Sequence, residues 1–287
     1  MLRHHGFRFV SFQRIPARRD GSEKKGKMLP VSKPLRDKHR YLLPLLLGTD
    51  VVLLWNILSS LRLYPESLFP GPVMVLRGFI EEIRTGRLFT DVVASLFRVG
   101  VGFMLACALG IPTGLWLGHR ATARKTLVPA LNFLRNLSPL AWLPFAVLWF
   151  GIGDLPAMFL IFMACFCPLA LATMLAVANI PSVYFRVARD FGFQGRRLVT
   201  DVTLPAILPQ VITALRVTAG LAWVVVVAAE MVAGADGLGF AILDARNGLR
   251  TDLVVVEMIV IGTIGMVIDR LLSGLMHIPS VRWGYER

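Results

Sequence analysis

Long, mostly apolar runs dominate the chain and decide what it can fold into. Stretches at 42–61, 92–117, 137–150, 157–177, 211–232 and 253–272 are rich in Leu, Val, Ile, Ala and Phe. A helix needs roughly 20 mostly apolar residues to cross the hydrocarbon of a bilayer, and only the run at 137–150 falls short of that. It contains Pro139 and Pro144. Extended back through 127–134 it is expected to form a proline-bent span, with neighbouring helices satisfying the carbonyls that a proline frees. The expected fold is an all-α membrane protein with about six transmembrane helices. With 55% hydrophobic and 17% charged residues, a disordered chain is excluded.

The net charge of +13 would fit a nucleic-acid binder, but the apolar runs rule out a soluble protein of that kind, and no nucleic-acid partner is expected. The basic residues instead carry topology, because cytoplasmic loops collect Lys and Arg. With the N-terminus inside, 23 of the 31 basic residues fall in the tail, the segments 118–136 and 179–210, and the C-terminal end. The expected outside segments hold Arg62, Arg77, Arg84, Arg87, Arg246 and Arg250. Both termini are therefore expected in the cytoplasm. The first 40 residues hold 12 Lys and Arg and read as a disordered tail, with Met28 as an alternative start. Outside, the apolar spacing of 73–83 suits a short interfacial helix. The run Gly234-Ala235-Asp236-Gly237-Leu238-Gly239 is expected to break a span before a short return at 240–247. The three cysteines allow no disulfide framework, and Cys165 and Cys167 read as reduced packing residues. Gly100, Gly102, Ala106, Gly110 and Gly114, with Gly262 and Gly265, recur near four-residue spacing and would permit close helix approach.

The most informative segment is the loop at 181–205. Pro181 suits a helix start and Gly192 a helix end, and Pro205 with Pro209 marks the return to the membrane. Two short helices on the cytoplasmic surface would give a rigid handle for a soluble partner; an ordinary solvated loop is the alternative. Gly192 is followed by nine residues and then Val202-Thr203-Leu204-Pro205. This resembles the loop of ABC importer permeases, whose pattern is Glu-Ala-Ala, three residues, Gly, nine residues, Ile-x-Leu-Pro. The first half departs, reading Arg186-Val187-Ala188, with Asp190 two residues before the glycine.

The surroundings resemble the sulfonate, taurine and nitrate branch of that family. They include Leu68-Phe69-Pro70-Gly71-Pro72, Ser95-Leu96-Phe97-Arg98-Val99-Gly100, Leu109-Gly110-Ile111-Pro112-Thr113-Gly114 and Ser138-Pro139-Leu140-Ala141-Trp142. Gly220-Leu221-Ala222-Trp223, Ala229-Glu230-Met231 and Asp269-Arg270-Leu271-Leu272 fit as well. The resemblance implies a type I ABC importer permease (MetI-like) architecture in the bacterial inner membrane. It implies a permease domain at 41–275, a C-terminal tail at 276–287, and a homodimer embedded in lipid. Its partners would be two cytoplasmic ATPase subunits, docked on the loop at 181–205, and an extracytoplasmic solute-binding protein. The cargo would be a small anion such as an aliphatic sulfonate, taurine or nitrate, with bicarbonate, cyanate or a vitamin precursor as alternatives.

The chain shows no chemistry of its own. Gly26-Lys27 lacks the spacing and the following hydroxyl of a phosphate loop. No His-Glu-x-x-His occurs, and none of the five histidines lies inside an expected span. No cofactor or metal is expected on this chain, and ATP would be used by the partner subunit. Ionisable residues within spans are costly and mark function or packing; here they are Asp50, Arg98, Arg216, Glu230 and Glu257, with Asp269-Arg270 near an end. Arg98 and Arg216 could attract an anionic solute along the translocation path, since guanidinium suits oxyanions. The preferred alternative is that they pair with Glu230 or another acid to fix helix packing, or snorkel to the interface. A self-sufficient secondary carrier or channel is the reading from a different class, and it would call for an internal repeat that is not evident.

Overall fold

A computed structural model describes residues 38–61, 63, 65 and 68–276. Met28 and most of both expected tails lie outside the described residues. The chain divides into two units, Met1–Val51 and Val52–Arg287. The helix α1 (Lys38–Ser60) begins in the first and ends in the second, and the packing described here belongs to the second.

Every element among the described residues is helical. Four stretches are long and apolar enough to cross a membrane: α3 (Arg87–His119), α6 (Asp154–Ala178), Leu198–Ala233, which contains α8 (Leu204–Ala233), and α10 (Thr251–Leu275). Two shorter apolar helices, Leu46–Ser60 and Pro139–Phe150, complete the set. The six apolar runs of the sequence all become helices, but not six equal spans.

The third run departs most from expectation. Instead of one bent span, α4 (Ala121–Asn136) stops at Leu137, whose backbone turns extended. A 3-10 turn at Pro139–Trp142 follows, then α5 (Leu143–Phe150). Pro139 and Pro144 lack the amide protons that a continuous helix would need, so each starts a new element. Eight residues of α5 rise only about 12 Å, well under a bilayer's hydrocarbon thickness.

The amphipathic stretch is a helix as expected, α2 (Pro72–Thr85). Pro72 sits in its first turn, where a missing amide costs nothing, and Gly86 ends it at φ +76°. Its buried side meets α10, since a Cβ at Gly78 would lie 3.0 Å from Leu253 Cδ2. The return helix is also present, as α9 (Leu238–Asn247).

The centre of the fold is the contact of α3 with α6. At Gly102, Gly114 and Gly118, an added Cβ would come within 2.8 Å of α6 atoms: Met158 O, Ala170 O and Val177 Cβ. Ala106 between them is fully buried. This stripe lets the two backbones approach directly, which dispersion rewards when lipid leaves no hydrophobic driving force. Gly100 and Gly262 do not belong to it, having open space where a Cβ would stand, while a Cβ at Gly265 would lie 3.1 Å from Trp223 Cδ1. Around the stripe, Leu160, Ile161, Cys165, Ala222, Val226 and Leu238 form the main core. Cys107, Cys165 and Cys167 are free thiols, the last two buried, as expected.

Candidate functional site

Two constellations stand out, at opposite ends of α3. At its N-terminal end, Arg98 is 1% exposed and enclosed by acids from three elements. Its Nε donates to Asp154 Oδ1 at 2.7 Å, at the first residue of α6. Nη1 donates to Glu230 Oε1 at 2.8 Å and to the Asp236 carbonyl at 2.9 Å. Nη2 reaches the Asp236 carboxylate. Glu230, fully buried on α8, is further satisfied by Ser95 Oγ at 2.9 Å and the Gly239 amide at 3.0 Å.

The start of α9 explains why these groups converge. A helix N-terminus leaves amides without intrahelical partners and favours negative charge. Here the amides of Gly237, Leu238 and Gly239 are taken by Asp91 Oδ1, Ser95 Oγ and Glu230 Oε2 at 2.9–3.0 Å. A side chain would not fit at two of these positions: a Cβ at Gly237 would lie 2.6 Å from Arg98 Nη1, and one at Gly239 2.2 Å from Val227 O. The Gly-rich break thus serves to press the return segment onto α3 and α8. Arg98 is outnumbered by Glu230, Asp154 and Asp236, so the surroundings repel an anion rather than collect one.

The other ionisable residues singled out from sequence do not join this network. Arg216 forms a bidentate pair with Asp269 of α10, at 2.6 and 2.7 Å, on a partly exposed surface. Glu257 is 1% exposed and its Oε2 has no hydrogen-bond partner among the described residues, as is true of Glu82 Oε2. Burial pushes the Glu82 carboxyl above its usual range, whereas Arg250 pulls exposed Glu81 below it. No group of three or more His, Cys, Asp or Glu is placed to hold a metal among the described residues.

At the other end of the bundle lies α7 (Ser182–Asp190). Its C-terminus shows why the motif carries a glycine. The Phe193 amide bonds to Ala188 O and the Gly192 amide to Arg189 O, both at 2.9 Å, while Gly192 takes φ +81°. This is a Schellman arrangement, in which a left-handed residue closes the helix. Ala188 is buried and faces inward. Val183, Tyr184, Val187 and Phe191 are 46–78% exposed; Val183, Val187 and Phe191 recur every four residues along one face, with Tyr184 beside Val183. Arg186 and Asp190 are exposed as well.

The second half of the motif differs from expectation. Val202, Leu204 and Pro205 do not form a separate short helix. Residues Leu198–Thr203 make a π-helical turn that runs directly into α8. Pro205 has no amide to offer at the start of α8, and a wide turn before it absorbs the mismatch. Thr203 is fully buried and donates to Leu198 O at 3.2 Å; His119 Nε2 lies 3.1 Å from its hydroxyl oxygen. His119 also meets the Phe185 ring edge-on at 6.0 Å, which ties α3 to α7. His119 and Thr203 were not singled out from sequence, since neither has a local pattern. Asp154, Asp236, Ser95 and Asp91 were missed too, being 56–146 residues from their partners.

Comparison with known proteins agrees with this architecture. Residues 110–277 match the family model described as the inner membrane component of binding-protein-dependent transport systems. The taurine transport system permease protein of Escherichia coli K12 is 34% identical, over 80% of this chain and 86% of its own. The bicarbonate transport system permease protein of Synechococcus elongatus is 33% identical, over 91% of this chain and 95% of its own. Among solved structures, an inward-facing methionine ABC transporter superposes with a TM-score of 0.56 at 20% identity, over 67% of this chain and 98% of that one. That likeness shows the type I importer fold. The chain belongs to the family of binding-protein-dependent inner membrane components and is an ABC importer permease of that fold, without an ATPase of its own.

Proposed function

We propose that the chain works as a homodimer that carries a small anion, an aliphatic sulfonate, taurine or nitrate, into the cytoplasm by alternating access. ATP is hydrolysed by separate subunits that dock on α7, and the cargo is delivered by an extracytoplasmic binding protein. The observation that carries this reading is the outer face of α7. Four exposed apolar side chains and Arg186 stand on a helix locked at its end by Gly192 and anchored inward by Ala188. An unpaired apolar face of this kind on a rigid lever suits a soluble partner's groove. Arg186 at the usual glutamate position gives the lever a basic rather than an acidic contact. The distribution of 23 of 31 basic residues supports an orientation with α7 and both termini in the cytoplasm.

The cargo class rests on the relatives alone. Arg98 is held by three acids and Arg216 by Asp269. Neither guanidinium is left to select an anion, so selectivity falls to the binding protein. Uptake of labelled taurine by cells expressing the intact system, challenged with excess unlabelled anions, tests this reading. Alkanesulfonates and taurine are expected to compete at least tenfold better than bicarbonate, a margin of about 1.4 kcal/mol. No uptake of labelled taurine, with saturable ATP-dependent uptake of labelled bicarbonate in its place, would transfer the reading to a bicarbonate importer, the runner-up that the cyanobacterial relative favours.

A further inference from the structure

We propose that a cavity directly behind α7 binds the phosphate headgroup of an anionic phospholipid. The cavity measures about 420 Å³ and lies between the C-terminal ends of α3 and α6, the start of α4 and α7. Its polar side is formed by Arg124, Arg189, His119 and Ser182, its apolar side by Val177 and Ile180 among others, and none of its lining residues is acidic.

The two arginines are available to a ligand. Arg87, Arg98, Arg216 and Arg250 each hold a carboxylate; Arg124 and Arg189 form no ion pair among the described residues. Arg189 donates Nε to Phe185 O at 3.2 Å, which steadies the guanidinium and leaves both Nη groups free to point at an oxyanion. A planar guanidinium suits phosphate oxygens because it can offer two parallel donors. His119 serves as wall, since its ring nitrogens are engaged by Leu115 O and Thr203 Oγ1.

The source of the phosphate follows from position and lining. The site lies where the apolar spans α3 and α6 end and the polar helix α7 begins, the level at which headgroups sit. Basic pockets between spans on the cytoplasmic side are suited to anionic headgroups. Val177 and Ile180 would cover the glycerol portion, for which a free phosphate ion has no counterpart.

The test is native mass spectrometry of the full-length chain, purified in the complex it forms, titrated with phosphatidylglycerol and with phosphatidylcholine. Wild type is expected to prefer phosphatidylglycerol, and R124Q/R189Q to bind it about thirtyfold more weakly, at about one kcal/mol per basic residue. K125Q/R135Q, altered at exposed positions on α4 outside the cavity, is expected to bind like wild type. An equal loss in both double variants would reduce the effect to general surface charge and overturn the site. Unchanged binding in R124Q/R189Q would overturn it outright. Displacement of the lipid by millimolar inorganic phosphate would reassign the pocket to a free anion. Loss of lipid binding whenever an ATPase subunit is attached would give the arginines to that partner. Binding by the chain does not depend on transport, so each result stands whether or not the cargo reading holds.

Discussion

Replacing Arg98 with methionine is expected to remove about 3–5 kcal/mol of stability, a large share of the about 5–15 kcal/mol that holds a typical domain folded. The cause is the company the guanidinium leaves behind. Glu230 is fully buried, and without Arg98 it would keep only Ser95 and the Gly239 amide. Asp154 and Asp236 would lose their shared counterion and repel each other across the gap. A buried charge stripped of its partner costs far more than the intact pair contributed. The double variant R98M/E230M should therefore be more stable than R98M alone, with a coupling energy of about 1–3 kcal/mol. Fluorescence-detected thermal unfolding in detergent reads both. If Arg98 instead held cargo, R98M would fold normally and fail only in uptake, and that outcome would return the network to the translocation path.

Two glycines on one helix should respond with opposite signs to the same change. Gly114→Ala puts a methyl 2.5 Å from Ala170 O and 2.6 Å from Thr173 Cβ, so α3 and α6 must move apart along their length. Backbone on the far side leaves no rotamer escape, and overpacking of this kind costs about 1–3 kcal/mol or more. Gly100→Ala meets nothing within 4 Å and sits in a helix interior. It should be neutral or stabilising by up to about 1 kcal/mol through helix propensity alone. Melting temperatures of the two single variants are sufficient to see this. A loss at Gly100 equal to that at Gly114 would mean that the face carrying Gly100 is covered in the assembled protein.

This pair also shows what the sequence could and could not convey. The near-four-residue recurrence of small residues was visible, and so was its meaning, because a helix repeats every 3.6 residues. Gly100 and Gly102 are two apart, however, and so face different directions; only contact with α6 tells which one is packed. The spans, the amphipathic α2, the break at 234–237 and the Gly192 helix end were all legible because each is local. Proline punctuation is legible at 137–144, but composition suggests a bend where the structure makes a complete break. At 198–205 the spacing was right, yet the π-turn joining the motif to α8 leaves no trace in composition. The ion network was half legible. Arg98 and Glu230 stood out as charges in apolar runs, whereas Asp154 and Asp236 looked like ordinary loop acids. Their role arises only when the start of α9 folds back onto α3.

We propose that ATP, used by subunits bound at α7, drives import through this chain. Reconstitution into proteoliposomes with the ATPase and the binding protein tests it most directly. Labelled cargo is expected to accumulate only when ATP, the ATPase and the binding protein are all present, to persist when ionophores collapse ion gradients, and to cease when Gly192→Val distorts the end of α7. Accumulation by the chain alone, driven by a proton or sodium gradient and indifferent to ATP, would contradict it and identify a secondary carrier.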